Sequence, residues 1–157
     1  MVPLNNLKKD LHHILLSVAV TVVVVITAST VPLERILSEY PGSPYMPWHT
    51  PWRIAIATFY LWLATAIVYS FDKKPLTYLL LFSGLTFAVA HYVVLLSLPR
   101  TCEVRLLPLV YQLECGKKPA LTYLDLGQIV IVATFVAFIH SIRGKTYLRK
   151  ASSSSRR

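Results

Sequence analysis

The chain has 157 residues, of which 55% are hydrophobic and 15% are charged, and its formal net charge is +9. A soluble domain usually carries about 25% charged residues, so this chain has too few polar side chains to cover itself in water. The composition excludes a soluble enzyme, a disordered tail and a disulfide-dense secreted module. The length allows a single domain over residues 1–150, followed by a basic, serine-rich tail over residues 151–157.

Four apolar runs are long enough to predict transmembrane helices, because about 20 residues at 1.5 Å each cross the ~30 Å of hydrocarbon. We place these helices at about 11–32, 54–71, 76–98 and 121–142. The fourth reaches this length only by including Asp125. Since the runs lack the alternating polarity of barrel strands, the sequence predicts an all-α integral membrane protein with a four-helix transmembrane bundle.

The first run also resembles a signal peptide. It follows Lys8 and Lys9 and contains a small-residue cleavage site at Ala28 and Ser29. Its apolar stretch is longer than the usual core of a signal peptide, and we therefore predict a retained helix.

Lys and Arg residues are divided unequally between the two ends of this predicted bundle. Ten lie in the N-terminal segment, the 72–75 turn and the C-terminal tail, whereas six lie in the loops at 33–53 and 99–120. Cytoplasmic segments are enriched in Lys and Arg, so we expect a multi-pass plasma-membrane protein with both termini in the cytoplasm. The basic tail is then expected to contact anionic lipid rather than nucleic acid.

The first outer loop, residues 33–53, combines an amphipathic segment with an aromatic one. Apolar residues recur at helical spacing over 33–40, which predicts a short amphipathic helix in the membrane interface. Four prolines over 41–51 then argue against regular structure. The aromatic side chains are expected to anchor this loop at headgroup depth or, alternatively, to bind a partner: Tyr45, Trp48 and Trp52.

The second outer loop carries both cysteines, Cys102 and Cys115. They enclose a segment whose partial alternation around Pro108 predicts a β-hairpin. Two cysteines that flank one hairpin on an outer face most simply form a disulfide.

The loop with Cys102 and Cys115, between the third and fourth helices, resembles the second cysteine pair of the bacterial disulfide-forming enzymes. These quinone-linked enzymes and the related vitamin K epoxide reductases are four-helix bundles, so the resemblance covers the topology and one loop. Both families also use a C-x-x-C pair near the quinone. This chain has only two cysteines, which removes the electron relay of those enzymes.

Two ionisable side chains lie inside the predicted membrane region, His91 on the third helix and Asp125 on the fourth. His91 shares a helix face with Gly84, where a small residue allows close helix approach. Gln128 follows Asp125 by one turn, and Thr58 on the second helix reaches a similar depth. We predict that the four polar residues form a buried cluster, which is either a structural contact that fixes helix register or a proton-relay, quinone or metal site.

Haem ligation by two histidines requires residues on different helices at one depth. The pair that meets this requirement is His13, or its neighbour His12, with His140 at the end of the fourth helix. His91 has only the loop residue His49 on its own side. We predict no bound metal and no bound cofactor, and haem or quinone is the alternative.

The sequence contains no phosphate-binding loop, no Ser/His/Asp set and no zinc-protease motif. The favoured function is a non-catalytic accessory or assembly subunit, whose partners are the lipid bilayer and other membrane proteins. The alternative is a redox or cofactor-binding membrane protein. A transporter or channel has less support, because an inverted repeat is not apparent. The few Asn and Gln side chains are typical of thermophilic proteins.

Overall fold

A computed structural model describes residues 4–31, 49–69, 73–97, 102–116 and 119–154. Within these residues, four helices and a three-stranded antiparallel sheet follow in the order α1, α2, α3, β1, β2, β3, α4. The helices are α1 (Leu4–Thr30), α2 (His49–Ile67), α3 (Lys74–Leu96) and α4 (Leu126–Ser154). The strands are β1 (Cys102–Leu107), β2 (Val110–Cys115) and β3 (Leu121–Leu124). The protein is mostly helical, and its sheet is larger than the predicted hairpin.

Two described segments are long and apolar enough to cross a membrane, Asp10–Thr30 in α1 and Lys74–Leu96 in α3. α4 contributes a shorter apolar stretch, Leu126–Ser141. Length and apolarity therefore support two of the four predicted spans in the described part of the chain.

α2 begins at His49, earlier than the predicted start near residue 54. Pro51 does not prevent this, because proline fits the first helical turn, where its missing N–H would have no helical partner. Trp52, predicted as a loop residue, is consequently a half-buried residue of α2, and Arg53 is buried. The other features predicted for the first outer loop lie outside the described residues: the helix at 33–40, Tyr45 and Trp48.

α3 is the central helix, and α1, α2 and α4 all pack against it. The helices approach closely at Gly84, where an added Cβ would lie 2.6 Å from Thr134 Oγ1 on α4 and 3.0 Å from Trp62 Cδ1 on α2. Trp62 Nε1 donates a hydrogen bond of 2.8 Å to Thr134 Oγ1. Three helices therefore meet beside Gly84, where the sequence predicts close helix approach.

Hydroxyl side chains are buried between the helices, whereas many large apolar side chains face outward. The exposed fraction is 77% at Ile67 and 61% at Phe135. Small hydroxyl residues at helix contacts, with apolar residues facing outward, are typical of helices that pack in lipid. The buried hydroxyl residues are Ser17, Thr21, Thr58, Thr65, Thr77, Ser83, Thr134 and Ser141.

β1 and β2 form a hairpin around Pro108, which confirms the prediction, and a disulfide joins Cys102 to the directly opposed Cys115. β3 pairs with β2 as a third strand. Because side chains alternate along a strand, the sheet has two different faces. Its apolar face carries Val104, Leu106, Tyr111, Leu113, Leu121 and Tyr123. Its polar face carries Glu103, Arg105, Gln112, Glu114 and Thr122, with the apolar Leu107, Val110 and Leu124 at the end next to the hairpin turn.

α4 begins at Leu126 rather than near residue 121. The four residues of β3, predicted as helix, pair with β2 instead. Asp125 caps the helix, because its Oδ1 accepts a hydrogen bond of 3.0 Å from the backbone N–H of Gln128. Aspartate favours this position because its carboxylate satisfies an N–H group that has no partner inside the helix.

Arg53 joins the start of α2 to the end of α1. Its side chain is buried, and Nη1 donates to the carbonyl oxygens of Ser29 at 3.2 Å and Val31 at 3.0 Å. Carbonyl groups at a helix C-terminus carry partial negative charge, so the guanidinium stabilises this end of α1.

We expect Arg53→Met, which keeps the aliphatic stem and removes the donors, to lower the free energy of unfolding by about 2 kcal/mol. Thermal unfolding in detergent, followed by tryptophan fluorescence, measures this loss. Arg105→Met at an exposed position of β1 is the control, with an expected change below about 0.5 kcal/mol. Equal shifts in the two variants would contradict this role of Arg53.

Candidate functional site

Three of the four residues predicted to form a polar cluster meet where α3 packs against the start of α4. His91 Nε2 lies 3.5 Å from Asp125 Oδ1, and the Asp125 side chain has no exposed surface. Gln128 Nε2 donates a hydrogen bond of 2.9 Å to Asp125 Oδ2. The carboxylate of Asp125 is therefore the centre of the cluster.

Thr58, the fourth predicted member, is fully buried, but its hydroxyl donates to the carbonyl oxygen of Ile54 in its own helix at 2.6 Å. Among the described residues, it makes no hydrogen bond to His91, Asp125 or Gln128. Its contacts assign Thr58 to helix packing.

Tyr92 and Gly127, which the sequence does not indicate, complete the cluster. The Tyr92 hydroxyl donates to Asp125, at 3.3 Å from Oδ1 and 3.1 Å from Oδ2. An added Cβ on Gly127 would lie 2.8 Å from His91 Cδ2 and 3.1 Å from Tyr92 Cζ. Glycine at this position therefore lets both rings reach the first turn of α4. The sequence indicates this part of the cluster only through the spacing of Asp125 and Gln128. An aspartate followed three residues later by a glutamine is typical of a helix N-terminus.

Gln128 connects α4 to the turn of the hairpin. Its Oε1 accepts from the N–H of Leu109 at 2.8 Å, and its Nε2 donates to the carbonyl oxygen of Leu107 at 2.8 Å. The N–H of Asp125 donates to the carbonyl oxygen of Leu109 at 2.9 Å. Leu109 has a φ of 63°, which is uncommon for a residue with a Cβ atom, and these hydrogen bonds hold it there.

Removing the Gln128 amide is expected to loosen the hairpin. In Gln128→Leu, amide hydrogen exchange in the turn at 107–110 should become at least about tenfold faster, because the hydrogen bonds to Leu107 and Leu109 are lost. Gln112→Leu, at a polar-face position of the sheet, is the matched control. Unchanged exchange in Gln128→Leu would show that the turn is held by the strands alone.

Aromatic rings surround His91 on two sides. Its ring centroid is 5.6 Å from that of Phe87 in α3 and 6.3 Å from that of Tyr111 in β2. Tyr111 in turn stacks on Tyr123 with a centroid distance of 5.4 Å. Burial, with Tyr123 and Asp125 nearby, raises the pKa of Tyr111 above that of free tyrosine, so its phenol is neutral at physiological pH.

A cavity of about 630 Å³ lies between α2 and α3, next to the first residue of α4. Much of its wall is aromatic, and His91 contributes the imidazole on this wall. Its size is within the range of small-molecule sites, about 300–1,000 Å³. The aromatic lining residues are Trp52, Phe59, Tyr60 and Phe87.

The histidines predicted as haem ligands lie on α1 and α4. His13 is half-buried beside the exposed His12, and His140 is exposed. In the described part of the chain, α1 and α4 pack on α3 and form no extended interface with each other. His49 is buried at the start of α2 and does not line the cavity beside His91.

A carboxylate, an imidazole and a phenol in contact can hold and exchange protons, and the same contacts fix the packing of α4 on α3.

Comparison with known proteins finds no family model that matches the sequence, no curated protein of similar sequence and no solved structure of similar fold.

Proposed function

We propose that this chain is a multi-pass membrane protein that serves as a non-catalytic accessory or assembly subunit of a larger membrane complex. Membrane embedding is supported by the outward-facing apolar side chains and the buried hydroxyl groups. The two described segments with the length and apolarity of membrane spans add to this support.

In the proposed orientation, both termini and the turn between α2 and α3 lie in the cytoplasm of a plasma-membrane protein. The ion pair of Lys74 with Asp10 supports this orientation, because it joins the start of α3 to the N-terminal part of α1. Two of the lysine-rich segments then share one end of the bundle. The sheet follows the opposite end of α3, on the outer side, where disulfides persist.

The observation that carries the accessory role is the exposed apolar face of the sheet. In the described part of the chain, Leu106 is 56% exposed, Leu121 is 55% exposed and Tyr123 is 42% exposed. The disulfide and the hydrogen bonds of Gln128 hold this face in a fixed position. An exposed apolar patch on a fixed element is typical of a protein contact site.

Native mass spectrometry of material purified in mild detergent tests this role. We expect the wild-type chain to retain a protein partner, and Leu121→Glu on the apolar face to lose it. Thr122→Glu is the matched control, because it places the same charge on the polar face of the same strand. A monomeric wild-type chain, or equal retention by both variants, would contradict the proposal.

A redox or cofactor-binding role with haem or quinone is the second candidate. It is favoured by the position of His91, which lines a cavity and contacts Asp125. The absorption spectrum of the purified protein tests the haem form of this role. A Soret band would support it, and a spectrum without visible absorption would exclude it.

A further inference from the structure

The imidazole of His91 lines the cavity between α2 and α3. His91 uses neither ring nitrogen in a hydrogen bond to the described residues, but the two nitrogens differ in exposure. Nε2 is fully buried, and it faces Asp125 Oδ1 at 3.5 Å. The His91 side chain is 17% exposed, and because Nε2 is buried, this exposed surface lies away from Nε2 and leaves Nδ1 as the ring nitrogen that a molecule in the cavity can reach.

The position of Asp125 determines which nitrogen can accept a hydrogen bond. Asp125 Oδ1 accepts hydrogen bonds from the Tyr92 hydroxyl and the Gln128 N–H, so a hydrogen atom on Nε2 is favoured on the side that faces this acceptor. A neutral imidazole carries one N–H, which leaves a lone pair on Nδ1. His91 Nδ1 can therefore accept a hydrogen bond from a molecule in the cavity, and that molecule must supply the donor.

The shape and lining of the cavity narrow the class of ligand further. Four of its lining residues are aromatic, and Phe87 lies directly beside His91 with a centroid distance of 5.6 Å. Aromatic walls favour a flat ring through stacked and edge-to-face contacts. Tyr60 also lines the cavity, and it is 65% exposed. The cavity therefore opens at the outer surface of α2.

We propose that this cavity binds a hydroxylated aromatic ring, such as the phenol or hydroquinone head of a lipid-soluble molecule, with the ring hydroxyl donating a hydrogen bond to His91 Nδ1. The aromatic side chains hold the ring, and Asp125 keeps the imidazole in the tautomer that accepts. This site rests on the cofactor-binding alternative and names its ligand class. It shares no residue with the apolar face of the sheet, although Tyr111 of that face contacts His91.

Calorimetric titration of the purified full-length protein in detergent, with ligand titrated into empty micelles as the blank, tests the ligand class. The probes are 1-naphthol and 1-methoxynaphthalene, which share a ring system but differ in the hydroxyl donor. We expect 1-naphthol to bind saturably at one site per chain and the methoxy compound to bind at least tenfold more weakly. Tenfold corresponds to about 1.4 kcal/mol, the size of one hydrogen bond.

Variants of His91 test the assigned nitrogen. His91→Asn places an amide oxygen near the position of Nδ1, whereas His91→Gln places its amide near Nε2. We expect the Asn variant to bind 1-naphthol within about threefold of the wild type. The Gln and Phe variants should bind it at least tenfold more weakly, a loss of about 1.4 kcal/mol. His140→Phe, which removes an exposed imidazole away from the cavity, should bind like the wild type.

Several results would overturn the proposal. Equal affinity for the two naphthalenes would show that the cavity is an apolar site for which the hydroxyl is irrelevant, such as a site for a lipid chain. The same conclusion follows if His91→Phe binds 1-naphthol like the wild type. The absence of saturable binding to the folded wild-type protein would exclude the site. The comparison of probes uses only the wild type, so it decides the question even if a variant fails to fold.

Discussion

Asp125→Ala is expected to lower the free energy of unfolding by about 3–5 kcal/mol, a large effect for a single substitution. The alanine removes the helix cap, which contributes about 1 kcal/mol. It also removes the acceptor of the half-buried Tyr92 hydroxyl and of one N–H of the Gln128 amide, whose other N–H still donates to Leu107, at about 1–2 kcal/mol each. Thermal unfolding in detergent should show a midpoint lower by about 10 °C.

Asp125→Asn is the matched control for this prediction, because it keeps the shape and one acceptor oxygen but loses the charge. We expect it to cost about 1–2 kcal/mol, since the asparagine Oδ1 can still cap α4 while its amide group cannot accept from Gln128. Equal and small effects of both substitutions would show that the carboxylate is not the centre of the contact between α3 and α4.

Gly84→Ala is expected to lower the free energy of unfolding by about 2–4 kcal/mol. The added methyl would lie 2.6 Å from Thr134 Oγ1 and 3.0 Å from the Trp62 ring, so these side chains or their helices must shift and the hydrogen bond between Trp62 and Thr134 must weaken. Overpacking of this kind costs about 1–3 kcal/mol, and the weakened hydrogen bond adds about 1 kcal/mol. Alanine is intrinsically a better helix former than glycine, so helix propensity alone would make this substitution stabilising. A loss of stability would therefore point to the close packing at Gly84.

A double-mutant cycle with Thr134→Ala identifies the source of this loss. Thr134→Ala alone removes the acceptor of Trp62 Nε1, and in the Gly84→Ala background it also makes room for the new methyl. We therefore expect the double variant to be more stable than the sum of the single effects predicts, by about 1 kcal/mol or more. Additive effects would mean that Gly84 acts through its backbone rather than through close packing.

Uncharged runs located the helices but not all of their ends. The predicted start of α2 depended on the charge of Arg53 and on the prolines before it. Pro51 nevertheless fits a first helical turn, and carbonyl groups at the end of α1 accept hydrogen bonds from the Arg53 guanidinium. The predicted start of α4 used the apolar residues 121–124 to reach a full span. Their pairing with β2 is a non-local contact that helical periodicity does not report.

In the cluster around Asp125, the sequence could predict only the residues that are unusual among their neighbours in the chain. An ionisable side chain in an apolar helix is such a case, which is why His91 and Asp125 could be identified. Tyr92 and Gly127 are ordinary residues in membrane helices, and their roles depend on how α3 crosses α4. The hydrogen bonds of Gln128 with Leu107 and Leu109 likewise join residues that are adjacent only after folding.

In the proposed membrane bundle, the sheet lies on the outer side and the α2–α3 turn lies in the cytoplasm. Cysteine labelling in intact cells tests this orientation, because the native cysteines form a disulfide and do not react. A membrane-impermeant maleimide should label Ala120→Cys, at an exposed position directly before β3, in intact cells. It should label Lys73→Cys, which precedes α3, only after lysis. Labelling of both positions in intact cells, or labelling of Lys73→Cys alone, would rule out the proposed orientation.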